Sequence, residues 1–292
     1  MINLGILAAL LSTISGNTSS LISKRIANPF GNRLCALFTV GFGTVPMLVS
    51  ILIFGFVSLP LSDELISLAA GFFLSLGFLL KYLSLSTEQV TNIGAVAQVQ
   101  PALLVIFGIF LFNEQVNPLT IISMIVVFVG AGFITITKDF KINKNLVPAI
   151  LSSASWGIYW ILITVSVGNS GNFLASLFFS RISGVALLLI FFSRMGGHVT
   201  EKAIQYKKIK GEEAFMMLML LALATGLFNG MGDTLFGVVA KYNEVAVGSV
   251  IGIAGLVFLA TAAYFLYKER LTRLQLAGFV VVLIGTLGLA LS

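Results

Sequence analysis

The sequence predicts an all-α membrane protein of ten transmembrane helices, and three observations predict it. Hydrophobic residues make up 58% of 292 positions, and mean hydropathy is +1.06. Charged residues are only 10%, against about 25% in soluble domains. Apolar runs of the roughly 20 residues that a bilayer-crossing helix needs recur along the whole chain. A water-facing surface takes roughly 25–35% charged residues. The composition therefore excludes a soluble globular enzyme, a disordered chain and a nucleic-acid binder.

The spans read as 4–23, 34–57, 64–86, 90–112, 118–137, 146–167, 172–193, 213–240, 244–267 and 272–291. Span 1 has no charged segment before it and no small-residue cleavage pattern after it, so it reads as a retained helix rather than a signal peptide. Asn28-Pro29 and Pro60 bound span 2, because proline cannot continue a helix from within. Asn113 to Pro118, Lys138 to Asn145 and Gly168 to Asn172 separate later spans. Pro46 and Pro101 fall inside spans 2 and 4, where they are expected to kink the helix. The segment 194–212, RMGGHVTEKAIQYKKIKGE, is the one long loop. It reads as a solvated basic connector, with contact to anionic headgroups as the alternative.

The charges give an orientation. Seventeen Lys and Arg against eleven Asp and Glu leave +6. An even number of spans puts both termini on one side, side A. Side B then holds Lys24, Arg25, Arg33, Lys138, Lys141, Lys144, Arg194, Lys202, Lys207, Lys208, Lys210, Lys268, Arg270 and Arg273, and side A only Lys241. The positive-inside rule makes side B cytoplasmic and both termini extracytoplasmic, in the plasma or inner membrane of the cell.

Internal self-similarity divides the chain. At an offset of 155, Phe110, Leu111, Glu114, Leu119, Val126, Val127 and Gly130 meet identical residues, from Phe265 through Glu269 to Gly285. Nearer the start, Ser15-Gly16 meets Trp156-Gly157 at an offset of 141. Spans 1–5 (residues 1–139) thus match spans 6–10 (residues 140–292). Five is odd, so the second half enters the membrane from the opposite face. Such an inverted repeat puts a pseudo-two-fold axis in the membrane plane, with a site between the halves that opens to either side in turn.

The break LFNEQV (111–116), the run LYKERLTRLQLAGFVVVLIGTLGLAL (266–291) and Trp156-Gly157 in span 6 look like parts of two EamA repeats. The whole chain resembles the ten-helix drug/metabolite transporter superfamily, with Glu269 to Thr272 its most specific piece. It departs from that pattern at three places. Ser15 stands for the usual tryptophan, Asn113-Glu114-Gln115 lacks a basic residue after the glutamate, and Leu256 stands where span 4 has Pro101. The resemblance implies a secondary transporter of small metabolites, with spans 1, 3, 4, 6, 8 and 9 around a central cavity.

Costly residues within the spans mark candidate site positions, because a charge in hydrocarbon needs a cavity or a partner. Arg181 in span 7 and Asp233 in span 8 both sit roughly 12–14 Å from side A at 1.5 Å per residue. They read as a structural ion pair, or as an anion receptor beside a proton carrier or cation contact, or as lipid-facing or misplaced groups. Lys81, near the side-B end of span 3, either snorkels to the headgroups or lines the cavity and attracts an anion. Glu88 and Glu244 stand at span ends and read as cap or boundary residues, with gates as the alternative. Asn17 in span 1, Gln98 in span 4 and Asn229 in span 8 need polar partners. Trp156 and Tyr159 in span 6 offer a stacking surface or core packing. The expected substrate-binding set is Asn17, Lys81, Gln98, Trp156, Tyr159, Arg181 and Asn229, with Asp233 and Arg181 as coupling or ion-pair groups.

Catalysis has little material. His198 is the one histidine and Cys35 the one cysteine, and there is no P-loop, H-E-x-x-H or C-x-x-C. No enzyme activity, cofactor, metal or nucleic acid is expected. The expected function is secondary active transport of a small polar metabolite: an amino acid, organic acid, sugar or phosphorylated metabolite. Protons are the candidate coupling ion, membrane lipids are partners, and the chain works as a monomer or homodimer. The rival readings are a passive facilitator or channel, and a lipid-handling protein.

Overall fold

The structure, a computed structural model, describes residues 4–55, 57–100, 117–135, 143–194, 198–241 and 245–291. Pro101, Glu114, Glu244, Lys138, Lys141 and the LFNEQV break lie outside the described residues.

All regular structure among the described residues is helical. The helices are α1 (Leu4–Phe54), α2 (Leu61–Leu85), α3 (Val90–Ala97), α4 (Pro118–Thr135), α5 (Val147–Ser170), α6 (Phe173–Arg194), α7 (His198–Lys210), α8 (Glu212–Lys241), α9 (Val245–Tyr267) and α10 (Arg273–Leu291). Among the described residues five helices are long and apolar enough to cross a membrane, and three shorter ones are apolar.

Two expectations are refined. Spans 1 and 2 are two helices, as expected, but they meet at a kink rather than across a loop, and α1 covers both. Its one non-helical residue is Gly31, at φ 73° and ψ 164°, a backbone state that residues with a Cβ seldom adopt. The backbone stays helical through Pro46. The basic loop is likewise not plain connector. It folds into α7, which packs on α1 and α8.

Local chemistry sets several helix starts. Asn117 Oδ1 accepts from the Leu119 amide at 2.9 Å, and Pro118 opens α4, where its missing N–H costs nothing. Asn172 Oδ1 accepts from the Ala175 amide at 3.2 Å and starts α6. Thr272 and Gln275 form a capping box ahead of α10: the Thr272 amide donates to Gln275 Oε1 at 3.0 Å, and the Gln275 amide to Thr272 Oγ1 at 3.3 Å.

The two halves meet through matched contacts. Ser12 and Ser15 in α1 donate to the carbonyls of Gly232 and Phe228 in α8, each at 2.7 Å. Ser152 and Ser155 in α5 donate to the carbonyls of Gly77 and Phe73 in α2, each at 2.8 Å. The serines are 140 positions apart and the acceptors 155 apart. The same exchange joins α4 to α10. A Cβ at Gly130 would meet Val282 N at 2.7 Å and Gly278 O at 2.9 Å, and one at Gly285 would meet Val127 N at 2.8 Å and Ser123 O at 3.0 Å. A contact that returns with its partners exchanged is the mark of a two-fold relation. The early register is therefore 140 rather than 141. Ser15 corresponds to Ser155, and Gly16 is the counterpart of Trp156.

Candidate functional site

The site is a cavity of about 280 Å³ between the halves. It is lined from α1, α2, α3 and the residues just after it, α5, α8 and α9. These are spans 1, 3, 4, 6, 8 and 9, the six that the family resemblance implies.

Span 1 shows how the sequence builds this wall. Ser12, Ser15 and Ser19 repeat at helical spacing and lie on one face. All three donate to α8 carbonyls, Ser19 to Thr225 O at 2.8 Å. Interhelical bonds of this kind are worth about 0.6 kcal/mol each in a membrane. Thr13, Gly16, Asn17 and Ser20 form the neighbouring face, and all four line the cavity. Asn17 is anchored across it, its Nδ2 donating to Gly255 O on α9 at 3.0 Å.

Lys81 lines the cavity and is 6% exposed, so it does not snorkel. Its Nζ donates to Ser20 Oγ at 2.9 Å. It also lies 5.2 Å from the Trp156 ring centroid and 5.8 Å from that of Phe78, within cation–π range.

Arg181 stands behind the wall. It is fully buried and is not among the lining residues, whereas Asn229 and Asp233 are. Its Nη2 donates to Asp233 Oδ2 at 2.5 Å and to Asn229 Oδ1 at 2.7 Å, and its Nη1 to Val40 O at 3.4 Å. Its Nε has no partner among the described residues. A Cβ at Gly43 would collide with this guanidinium, so the glycine makes its room. The burial excludes a lipid-facing arginine.

Gln98, Trp156 and Tyr159 also line the cavity. Tyr159 is buried, and its ring meets Trp160 at 5.0 Å. A Cβ at Gly77 would meet Trp156 Nε1 at 2.5 Å, so the indole is packed hard against α2. Thus seven of the eight expected site residues face one space, and the eighth, Arg181, holds two of them in place. Phe78 and Thr13 were not anticipated. Phe78 sits three residues before Lys81 and Thr13 four before Asn17, so helical spacing from either polar residue points to them.

A second polar cluster lies beyond the cavity on side B. The Glu269 carboxylate accepts from the amides of Val90 and Thr91 at 2.8 and 3.1 Å and from Thr91 Oγ1 at 2.9 Å. It caps α3 from the other half of the chain, where a helix N-terminus favours negative charge. Tyr267 donates to Leu21 O at 2.5 Å, and Asn143 Nδ2 to Glu88 Oε1 at 2.7 Å. Gln89 Nε2 donates to Arg270 O at 3.3 Å, and Ser84 to Asn145 O at 2.8 Å. Each of these bonds joins the two halves. Lys24 adds a tie to the end of α2 through Leu85 O, at 2.9 Å, and Glu88 O.

Comparison with known proteins agrees with this architecture. The profile of the EamA-like transporter family matches residues 3–136 and 144–291. A protein of Rickettsia bellii (strain RML369-C) named as an S-adenosylmethionine uptake transporter is 23% identical over 285 residues, spanning 98% of this chain and 92% of the relative. A solved crystal structure superposes with a TM-score of 0.68 at 14% identity, over 97% of this chain and 95% of the other. With the family profile repeated over nearly its whole length, the chain belongs to the EamA-like transporter family.

Proposed function

We propose that this transporter is a secondary active carrier that moves a small polar metabolite across the cell membrane by alternating access, with residues 1–139 and 140–292 as the two inverted halves. What carries the reading is the cavity between helices of both halves, walled by buried Lys81 and by Asp233. A site between inverted repeats is reached from each side in turn when the halves rock against each other. The side-B cluster around Glu269 would be the closed gate in this conformation, on the cytoplasmic side by the positive-inside rule. Its capping bonds would break when α3 moves away from α9.

Asp233 is the candidate coupling group. As a carboxylate it neutralises Arg181, which also holds Asn229. Protonated, it would lose that pairing and loosen α8 against α6. A proton would thus be linked to a change in helix packing. The uptake transporter among the relatives supports a small-molecule cargo.

The test is counterflow in proteoliposomes. A compound that alters the fluorescence of the cavity tryptophans would be loaded inside at high concentration, and its labelled form added outside at trace level. A carrier concentrates the label transiently above equilibrium. Simple equilibration without overshoot would replace this reading with a channel.

A further inference from the structure

We propose that the cavity is built for a monoanionic organic acid, its carboxylate on Lys81 and its apolar part against Trp156. This rests on the transporter reading and narrows its substrate class.

The charge balance leads there. Among the described residues three ionisable side chains stand at or directly behind the cavity wall: Lys81, Asp233 and Arg181. Arg181 and Asp233 neutralise each other at 2.5 Å, which leaves the +1 of Lys81. An ammonium group has three donors, and among the described residues Lys81 donates to one acceptor, an uncharged hydroxyl, Ser20 Oγ. Among the described residues no carboxylate forms an ion pair with it. The rings of Trp156 and Phe78 favour a cation without neutralising it. A buried charge calls for a paired and hydrogen-bonded partner, and the space in front of Lys81 is where one fits. A monoanion brings the site to neutrality. A zwitterion leaves it at +1, and a cation raises it to +2.

The rest of the wall agrees. Leu74, Leu256 and Leu259 give an apolar surface. Asn229 spends its Oδ1 on Arg181, so its Nδ2 is left as a donor for a second acceptor on the ligand. About 280 Å³ suits a small acid.

The protein carries its own reporter. Its two tryptophans, Trp156 and Trp160, both line the cavity. The detergent-solubilised protein would be titrated with matched pairs, phenylacetate against phenylacetamide and isovalerate against isovaleramide, and with leucine and phenethylamine, while tryptophan emission is read. The expected result is a saturable change with the acids at least about tenfold tighter than with their amides, since charge-assisted bonds are roughly twice as strong as neutral ones. Lys81→Gln should erase that preference and Lys81→Arg should keep it. Amides that match the acids, leucine or phenethylamine binding tighter, an unchanged preference in Lys81→Gln, or no response to any of the six would each overturn the proposal. Should Lys81→Gln fail to fold, the wild-type acid-against-amide comparison decides alone. Counterflow with a ligand of another class would leave the transporter reading standing while this one falls.

Discussion

Trp156 occupies the position in the second half that Gly16 occupies in the first. A Cβ at Gly77 would meet the Trp156 indole, whereas one at Gly232, its counterpart, would meet the bare backbone of Gly16 at 3.3 Å. A Cβ at Gly16 itself meets nothing within 4 Å among the described residues. The fold is two-fold related, but the cavity is not. One half supplies an aromatic wall and the other a vacancy. Gly16→Ala should therefore fold as well as wild type, or gain up to about 1 kcal/mol from helix propensity. Gly16→Phe should fold yet fill the cavity and abolish ligand-induced changes in tryptophan emission. Thermal unfolding and the fluorescence titration read the two effects separately.

Arg181 and Asp233 should behave as a unit. Arg181→Gln leaves the half-buried Asp233 carboxylate without its partner, a loss of about 1–3 kcal/mol. The single variant should show a sharply lower unfolding temperature. Arg181→Gln combined with Asp233→Asn removes both charges and should recover most of that stability while transport stays absent. A double variant as unstable as the single one would show that the ion pair does not set the cost.

Gly43 should matter mainly through Arg181, with Gly226 O the second atom a methyl group would crowd, at 3.2 Å. A methyl group there collides with the guanidinium, so Gly43→Ala should cost about 1–3 kcal/mol, as overpacking does. In the Arg181→Gln, Asp233→Asn background the cost should shrink. A double-mutant cycle on unfolding temperature measures the coupling.

Glu269 should act on the gate. Glu269→Ala removes a cap worth about 1 kcal/mol and opens side B more often. With buried Cys35 as the one native cysteine, Thr13→Cys can report from the cavity. A membrane-impermeant maleimide should label it faster from side B when Glu269 is absent. Equal rates in both backgrounds would remove Glu269 from the gate.

The sequence carried much of this and missed specific parts for physical reasons. Apolar runs mark the spans because a bilayer allows little else. Polar residues inside those runs mark the cavity, which Asn17, Gln98, Asn229 and Asp233 all line. Lys81 was ambiguous because its depth in span 3 is the same whether it snorkels or points inward. The order of Arg181 behind Asp233 was not legible, since equal depth says nothing about which group faces the cavity. The one-residue register error arose because spans 1 and 6 share small and polar residues rather than identities. Glu269 stood out as a motif, but its capping of α3 joins residues 178 and 179 positions apart, which helical periodicity does not reach.

Cross-linking the side-B gate tests alternating access most directly. Gln89 and Arg270 join the halves there at 3.3 Å. Gln89→Cys with Arg270→Cys, joined by a short reducible thiol cross-linker, should stop counterflow in proteoliposomes, and reduction should restore it. Full counterflow with the cross-link complete would contradict a mechanism in which this side must open.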